Sequence, residues 1–261
     1  MRWHYDLTGA EPIIRDCPVY DASSLAEGEL LMLGTSANNT ADGGISLVTA
    51  GTGTASSDAT NAVGILAENT YASIAPNRTV DDTSGVYLGK VIINPCAVYL
   101  AEYANDTAHD IAVESSSTST NIYETLSTIG ANNLDGYWVL FVNCATSAIE
   151  GDLRIITANT ATYFTIPALS ATPTTNDNYI FANPKHSNAV RLVSGDARYL
   201  DCTPTLDAPE GATKLKVVCS YVYSPQVPLT PLLSYVSPGQ LNVGKNGKLL
   251  ADLVMVDHLF V

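Results

Sequence analysis

Two short motifs contain residues of the types that bind phosphates or calcium. Residues 51–54 (GTGT) begin like a dinucleotide-binding loop, but the third glycine and the following helical pattern of that motif are absent. Residues 81–85 (DDTSG) place oxygen donors close together, as a calcium loop does, but they lack the alternating acids and the distal glutamate of an EF-hand. We therefore interpret the first motif as a surface loop and the second as a turn.

Candidate acid–base residues are few and far apart. Glu27 and Glu29 are spaced to project from one strand face, but a hydrolase needs two carboxylates facing each other across a substrate, so we interpret them as an exposed acidic edge. The four histidines share no ligand spacing, and His109-Asp110 is typical of a solvated loop pair. The motifs GxSxG, HExxH and GxxxxGK(S/T) are absent. These patterns predict a protein that is not an enzyme and has no cofactor and no metal.

The charge balance bears on the kind of partner. The 261 residues include 12 Lys+Arg and 26 Asp+Glu, a net charge of -14. Residues 1–130 carry 4 basic and 16 acidic side chains, so that half holds -12 of the total. A general nucleic-acid binder neutralises phosphates with Lys and Arg, and this chain predicts no direct contact with nucleic acid.

The expected compartment follows from the amino terminus and the cysteines. Residues 1–6 contain no apolar core of a secretory signal, and no run approaches the length of a membrane span. We therefore expect synthesis in the cytoplasm and no membrane partner. The five cysteines are an odd number without CxxC spacing, which favours free thiols, although a bridge such as Cys202–Cys219 stays an alternative.

The elements that must position any site are predicted to be short strands. Pro, Gly, Ser, Thr and Asn break the chain every eight to twelve residues, a spacing typical of sandwiches and barrels. In the run 215–223, Leu215, Val217, Cys219 and Tyr221 share one face at period two. Both faces of that run are poor in polar residues, so we expect it to be covered on both sides. The strand candidates are residues 86–93, 137–142, 153–157 and 215–223.

Three further local patterns predict a helix, a linker and a hairpin. Ile122, Leu126 and Ile129 repeat at helical spacing, which indicates a helix from about residue 120 to 129. The polar stretch 115–120 ahead of it is the best linker candidate. Asn246-Gly247 between two strand-like runs favours a type I′ hairpin. The domain prediction is an extended arm (1–18), a β domain (19–130) and a second β domain with the C-terminal hairpin (131–261).

The aromatic residues leave two questions open. Fourteen tyrosines are spread along the chain, and core or subunit-interface packing explains them at least as well as a sugar-stacking surface does. Trp3 lies in an arm with no obvious core of its own. It must therefore be anchored either in its own subunit or in a neighbour, and the residues favour neither.

Three stretches of the first half carry short motifs: residues 18–31 (PVYDASSLAEGELL), 62–67 (AVGILA) and 86–95 (VYLGKVIINP). Together they resemble the head decoration (capsid cement) proteins of tailed bacteriophages, in particular the lambda-like decoration domain. Residues 151–157, 167–169 and 173–180 are similar to a β unit of phage virion proteins. The chain is about twice as long as the small decoration proteins.

The resemblance implies an all-β protein with an N-terminal extended arm, a decoration-type β-barrel or β-tulip domain and a second β-sandwich-like domain. It implies a non-enzymatic virion protein on the outer capsid surface, which as a homotrimer binds the major capsid protein lattice and stabilises it. We expect the arm to contact the capsid or a neighbouring copy, with Trp3 as its anchor and Arg2 as its charge contact. The candidate contact residues are Arg2, Trp3, His4, Tyr5 and Arg15.

Two other classes of function remain as alternatives. The first is another phage virion component, such as a head fibre, tail or baseplate subunit, with the same all-β character. The second is a glycan-binding adhesin domain that uses clustered tyrosines. An enzyme such as a β-rich polysaccharide hydrolase is the last choice, because no acid pair is specified.

Overall fold

The computed structural model describes residues 1–20, 26–33, 40–41, 45–46, 48–50, 62–67, 79–81, 86–105, 110–124, 133–182, 192–193, 196–201, 215–232 and 240–255. Within these residues the protein is built from strands and turns without an α-helix, so the predicted all-β class is confirmed. The described strands are β1 (Arg2–Asp6), β2 (Ile14–Tyr20), β3 (Leu30–Leu33), β4 (Thr40–Ala41), β5 (Ile45–Ser46), β6 (Val48–Ala50), β7 (Ala62–Leu66), β8 (Thr79–Asp81), β9 (Val86–Ile92), β10 (Ala97–Glu102), β11 (Ile111–Ala112), β12 (Asn121–Tyr123), β13 (Trp138–Val142), β14 (Asp152–Ile155), β15 (Ala158–Asn159), β16 (Tyr163–Thr165), β17 (Asn178–Ala182), β18 (Leu192–Val193), β19 (Asp196–Leu200), β20 (Leu215–Tyr223), β21 (Thr230–Pro231), β22 (Gln240–Asn242) and β23 (Lys248–Met255).

Three sheets pack in layers. The front sheet has the antiparallel order β1-β10-β23-β20-β21, and the middle sheet has the order β11-β17-β13-β14-β22. The back sheet is β12-β16-β15. One hydrophobic core lies between the front and middle sheets and contains Tyr99, Leu253 and Leu140. A second core, with Phe141 and Phe164, lies between the middle and back sheets.

Strand β13 shows why an uninterrupted apolar run is a strand of the middle layer. Trp138, Leu140 and Val142 belong to the core shared with the front sheet, whereas Val139 and Phe141 belong to the core shared with the back sheet. All five side chains are buried. Because successive side chains point to opposite faces, a strand buried on both faces needs apolar residues at every position.

A curled sheet forms most of the other described structure before residue 92, apart from the two-stranded sheet of β4 and β5. Its strands pair in the order β2-β6-β3-β7-β9-β8, and β2 also pairs with β9 along its whole length. Five strands therefore form a ring of pairings, in which β2 and β6 meet through one parallel bridge, Val19 to Val48. A ring of this kind leaves few strand edges open. The smaller core beside it contains Leu31, Val63, Leu66 and Val91.

Two glycines, in the stretches 18–31 and 62–67, have a steric role. A Cβ atom on Gly64, in the AVGILA run, would lie 2.0 Å from the backbone oxygen of Ile92, so only glycine allows β7 to approach β9. Gly28 adopts a φ of 87° in the turn before β3, a conformation that favours glycine. Its amide donates to the Leu66 carbonyl at 2.8 Å and links the turn to β7.

The first twenty residues are paired along most of their length. β1 pairs with β10 and β2 pairs with β9, so this segment follows residues 86–100 from the curled sheet to the front sheet. Asn94 holds the crossing point, because it is buried, its Oδ1 accepts from the Ile13 amide and its Nδ2 donates to the Glu11 carbonyl and to Asp6. The predicted extended arm is thus extended, and it lies against its own subunit.

The predicted strands 86–93, 137–142, 153–157 and 215–223 correspond to β9, β13, β14 and β20. The predicted helix at 120–129 is wrong where the structure describes it. Asn121–Tyr123 form β12, whose Ile122 is fully buried and paired with Phe164, while residues 125–132 lie outside the described residues. The predicted domain boundary near residue 130 falls on the same undescribed residues, and across it the front sheet pairs β10 with β23.

The predicted type I′ hairpin at Asn246-Gly247 is also wrong. The turn spans Gly244–Gly247, closed by the Gly247 amide on the Gly244 carbonyl, and of its two central residues only Asn246 has a positive φ. Type I′ requires a positive φ at both central positions. The strands on either side belong to different sheets, β22 to the middle sheet and β23 to the front sheet, so the turn crosses between layers.

Candidate binding surface

The outer face of the front sheet carries polar and aromatic side chains in place of a second core. On β23 the inward residues Leu249, Ala251 and Leu253 are buried in the front core. The alternate residues Lys248 and Leu250 are only half-buried. This face is where strands from both ends of the chain bring functional groups together.

A β-bulge in β20 decides which side chains reach that face. The pairing register with β23 shifts between Val217 and Cys219. Leu215 and Val217 are buried before the bulge, but Ser220 and Val222 are buried after it. The predicted single face of Leu215, Val217, Cys219 and Tyr221 is therefore wrong, because the extra residue reverses the alternation. The prediction that β20 is covered on both sides is wrong too, since Tyr221 is half-buried and Tyr223 is exposed.

Asp252 lies at the centre of this face as a buried carboxyl with two partners. His4 Nδ1 donates to its Oδ1 at 2.7 Å, and the Tyr221 hydroxyl donates to its Oδ2 at 2.6 Å. The Asp252 side chain is fully buried, whereas that of His4 is 34% exposed. The contacts connect β1 to β20 across two intervening strands, so they fix the edge strand to the sheet.

The side chains of Cys219, Tyr221 and Tyr5, which lie near Asp252, stay protonated at neutral pH. Burial raises the pKa of the Cys219 thiol, although a hydrogen bond with Tyr221 opposes this and the Asp252 charge adds to it. Burial and then the Asp252 carboxylate raise the pKa of the Tyr221 hydroxyl, and burial followed by Asp252 raises that of Tyr5. A thiol with a raised pKa is a poor nucleophile, so this cluster fits a structural role for Cys219 better than a catalytic one.

A cleft of about 510 Å³ opens at one end of the same face. We name it the tyrosine cleft, since Tyr199 and Tyr223 line it together with Leu229. Leu100 and Leu250 contribute from the two central strands. Each of Tyr199, Tyr223 and Leu229 is exposed by a third or more of its surface.

The charged residues of the tyrosine cleft include both signs: Arg2, Arg198, Lys248, Glu27 and Glu102. Lys248 Nζ lies 2.9 Å from one oxygen of Glu102 and 2.8 Å from the other, so this pair is held in place. The Arg198 guanidinium lies 5.4 Å from the centroid of the Tyr199 ring. Such a contact fixes the ring as well as the cation.

A second set of exposed apolar side chains lies along the arm, before and after the segment that Asn94 holds. We name it the arm patch and define it by Tyr5, Leu7, Ile13 and Ile14. Leu7 is 62% exposed and Ile14 is 48% exposed. Among the described residues, every large apolar side chain that is exposed belongs to the arm patch or to the tyrosine cleft. Four exposed apolar side chains within ten residues of chain make the arm a candidate binding surface.

The structure places the five predicted contact residues at three locations. Arg2, His4 and Tyr5 lie on the outer part of β1, and Arg2 lines the tyrosine cleft. Trp3 is half-buried, packs against the front core and meets the Tyr99 ring edge-on at 6.4 Å between centroids. Trp3 is therefore anchored in its own subunit, which is the first of the two options left open by the sequence. Arg15 is exposed on β2, next to Ile14.

Of the remaining sequence candidates that the structure describes, Glu27 lines the tyrosine cleft. Glu27 and Glu29 lie in the turn before β3, not on one strand face. Glu27 is exposed but Glu29 is half-buried, so the predicted exposed acidic edge is wrong for Glu29. Residues 51–54 and 82–85, His109, His186, His258 and Cys202 lie outside the described residues. Cys17, Cys96, Cys144 and Cys219 are free thiols.

Neither a metal site nor a membrane-spanning helix is found among the described residues. In the part of the chain that the structure describes, no group of three or more His, Cys, Asp or Glu side chains is arranged to hold a metal ion. Nor does that part contain a helix with the length and apolarity that spanning a bilayer requires. Comparison with protein-family models, with curated proteins and with solved structures found no match to this chain.

The tyrosine cleft was not predicted from the sequence. Its residues come from five separate parts of the chain, around positions 2, 27, 101, 199 and 223–250, and the order of the front sheet brings most of them together. The arm patch had a clearer signal, because Leu7, Ile13 and Ile14 fall in a segment with few apolar neighbours.

Proposed function

We propose that the chain is a non-enzymatic structural protein of a bacteriophage virion, which binds the outer capsid surface as a cement protein. The proposal starts from the resemblance of residues 18–31, 62–67 and 86–95 to head decoration proteins. The observation that carries it in the structure is the arm patch. A monomer that keeps Leu7, Ile13 and Ile14 in water gains free energy when a partner covers them.

The size of that gain suits a protein that binds a repeating lattice. Complete burial of one leucine or isoleucine side chain contributes about 1.5–3 kcal/mol. Three side chains that are about half exposed therefore supply roughly 2–4 kcal/mol. One such contact is weak, but several copies held together on one shell add through effective concentration.

The rest of the arm supports a rigid contact. Trp3 fixes β1 to the front core and Asn94 fixes the loop between β1 and β2. A surface that is ordered before binding loses little conformational entropy on contact. The contact itself then falls on Leu7, Ile13 and Ile14, and the exposed Arg15, which follows Ile14 on β2, meets an acidic group of the major capsid protein.

We also propose that the protein acts as a homotrimer. β1 and β21 are the two edge strands of the front sheet, and a strand edge is a template for pairing with another chain. Closed cyclic symmetry is the usual way in which soluble oligomers cover such surfaces. Native mass in solution, measured with and without heads, reports the oligomer and the lattice binding together.

The test uses heads from a deletion strain of the phage that encodes the chain. The full-length triple variant Leu7→Ser, Ile13→Thr, Ile14→Thr removes apolar surface and retains β-branched residues next to and within β2. We expect it to fold normally and to lose at least about tenfold in affinity for heads, because about 1.4 kcal/mol corresponds to that factor. Co-sedimentation measures the affinity and circular dichroism measures the fold.

Leu229→Ser is the matched control. Leu229 is exposed to a degree similar to Ile13 but lies in the tyrosine cleft, so this variant should bind heads like the wild type. A folded triple variant that saturates heads with unchanged affinity would exclude the arm patch as the contact. Equal losses in the triple variant and in Leu229→Ser would also contradict the proposal.

A further inference from the structure

The tyrosine cleft is separate from the surface assigned to the capsid, and its chemistry indicates a different ligand. Its exposed apolar side chains are Tyr199, Tyr223 and Leu229, which belong neither to the arm patch nor to the core. A volume of about 510 Å³ is within the range of small-molecule sites.

The geometry of the cleft fits an elongated ligand. Arg2 lies on β1, Glu102 on β10, Lys248 on β23 and Tyr223 on β20, and these are four consecutive strands of the front sheet. Neighbouring strands lie about 4.8 Å apart, so the cleft crosses roughly 14 Å of sheet. A ligand that is longer in one direction can contact all four strands at once.

The polar groups of the cleft combine donors and acceptors at close range. Lys248 and Glu102 form a pair that presents N–H donors next to carboxylate acceptors. Arg2 and Arg198 add further donors, and Glu27 adds acceptors. A ligand rich in hydroxyl groups uses both kinds, since each hydroxyl donates one hydrogen bond and accepts others. The cations Arg2, Arg198, Lys248 and the Met1 amino group outnumber Glu27 and Glu102 in this lining, so an acidic saccharide is the alternative that the experiment must exclude.

The tyrosine rings provide the apolar contacts for the same hydroxyl-rich ligand. A tyrosine ring has a broad apolar face and a polar tip, which suits a ligand with C–H surfaces between hydroxyl groups. The Arg198 guanidinium over the Tyr199 ring holds that ring in position. Because tyrosine has only two rotatable side-chain angles, ordering it on binding costs little entropy.

We infer that the tyrosine cleft binds a neutral oligosaccharide. The sugar rings stack on Tyr199 and Tyr223, and their hydroxyl groups bond to the Lys248–Glu102 pair. On a virion this would be an adhesive site for surface polysaccharide, but the inference rests on the cleft alone and holds whether or not the arm patch binds a capsid.

The experiment is affinity gel electrophoresis of the full chain in gels that contain dextran, mannan or galactan as neutral probes. Polygalacturonate serves as the acidic probe. We expect at least one neutral polysaccharide to retard the wild-type protein. Tyr223→Ala should weaken that retardation at least tenfold, whereas Tyr223→Phe, which keeps the ring, should retain most of it.

Tyr5→Ala is the matched control, because Tyr5 is exposed to a similar degree on the same sheet but does not line the cleft. It should leave the retardation unchanged. Retardation by none of the three neutral probes, or by polygalacturonate alone, overturns the inference. Equal effects of Tyr223→Ala and Tyr5→Ala overturn it as well. Head binding by Tyr223→Ala should stay at the wild-type level, which separates this result from failure of the capsid proposal.

Discussion

The two sides of the molecule treat buried carboxyl groups differently. In the sandwich of middle and back sheets, Asp177 accepts hydrogen bonds from the amides and hydroxyls of Thr146 and Thr174. Asp152 is likewise bound by Arg154, Ser170 and Asn242. In the front sheet, the buried Asp252 has His4 and Tyr221 as partners, and His4 is partly exposed to solvent.

All three carboxyl groups hold the fold, but Asp252 lies beneath a face whose other side chains are open to a partner. Buried polar groups stabilise a fold only when their hydrogen bonds are satisfied, and the sandwich satisfies them internally. The front sheet instead carries its remaining polar and aromatic residues on an open face. We therefore expect substitutions in the sandwich to change stability and substitutions on the outer face to change binding.

The largest expected effect on stability comes from the aromatic core of the sandwich. Phe164 is fully buried and contacts Tyr179 and Phe181 edge-on. Phe164→Ala should lower the free energy of unfolding by about 3–5 kcal/mol, since it removes packing and leaves a cavity. Urea unfolding measures the loss. The exposed Thr162→Ala is the control, and a loss below about 1 kcal/mol in Phe164→Ala would contradict the packing described here.

The next largest effect is expected at Asp177. Burial alone would raise the pKa of this carboxyl, but the hydrogen bonds from Thr146 and Thr174 hold the pKa below its ordinary value of 3.8. Asp177→Ala should cost about 3 kcal/mol at neutral pH, because it leaves buried donors without an acceptor.

The lowered pKa of Asp177 also predicts how its contribution to the unfolding free energy changes with pH. Since the folded-state pKa is lowered, the stability from Asp177 is present above about pH 4 and is lost as the pH falls through the folded value. The difference in unfolding free energy between wild type and Asp177→Ala should therefore shrink in acid. Unfolding curves at several pH values test this, with the exposed Asp135→Ala as the control. A difference independent of pH would show that the charge has no role.

A smaller effect is expected at Asp252. Asp252→Asn keeps the shape but weakens the hydrogen bonds with His4 and Tyr221, so we expect a loss of about 1–2 kcal/mol. The pKa of Tyr221, raised by burial and then by the carboxylate, should fall in this variant. Spectrophotometric titration of the tyrosines measures the change, and Tyr221→Phe identifies which titration belongs to Tyr221. An unchanged titration would exclude the contact in solution.

The smallest effect on stability is expected on the open face. Tyr223 is 43% exposed, so Tyr223→Ala should lower the unfolding free energy by only about 1 kcal/mol, since little more than half of the ring is buried. The same substitution removes a ring that the saccharide proposal requires. Thermal unfolding of this variant beside Phe164→Ala measures the contrast directly. A destabilisation in Tyr223→Ala comparable to that of Phe164→Ala would remove the distinction between the two regions.

Local composition was enough to predict several strands. The β-branched and aromatic runs at β9, β13 and β20 predict strands because such side chains fit a pleated and packed surface. Which face is buried depends on more than the run itself. In β20 the bulge at Val218 reverses the alternation, and composition does not report a bulge.

Features that depend on distant contacts were not predicted. The turn at Asn246 connects two sheets, a fact that depends on which strands β22 and β23 pair with. Ile122 is a strand residue because it packs under Phe164, far away in the chain. The tyrosine cleft exists because β1, β10, β23 and β20 are neighbours, and no local pattern around Tyr199 or Tyr223 reports that order.

The most direct test of the central proposal is the number of copies of this chain in purified virions, measured by quantitative mass spectrometry on separated heads and tails. We predict copies on the order of hundreds per particle, all in the head fraction, as the symmetry of an icosahedral shell requires. About six or twelve copies in the tail fraction would identify another virion component. Absence from both fractions would contradict a virion role altogether.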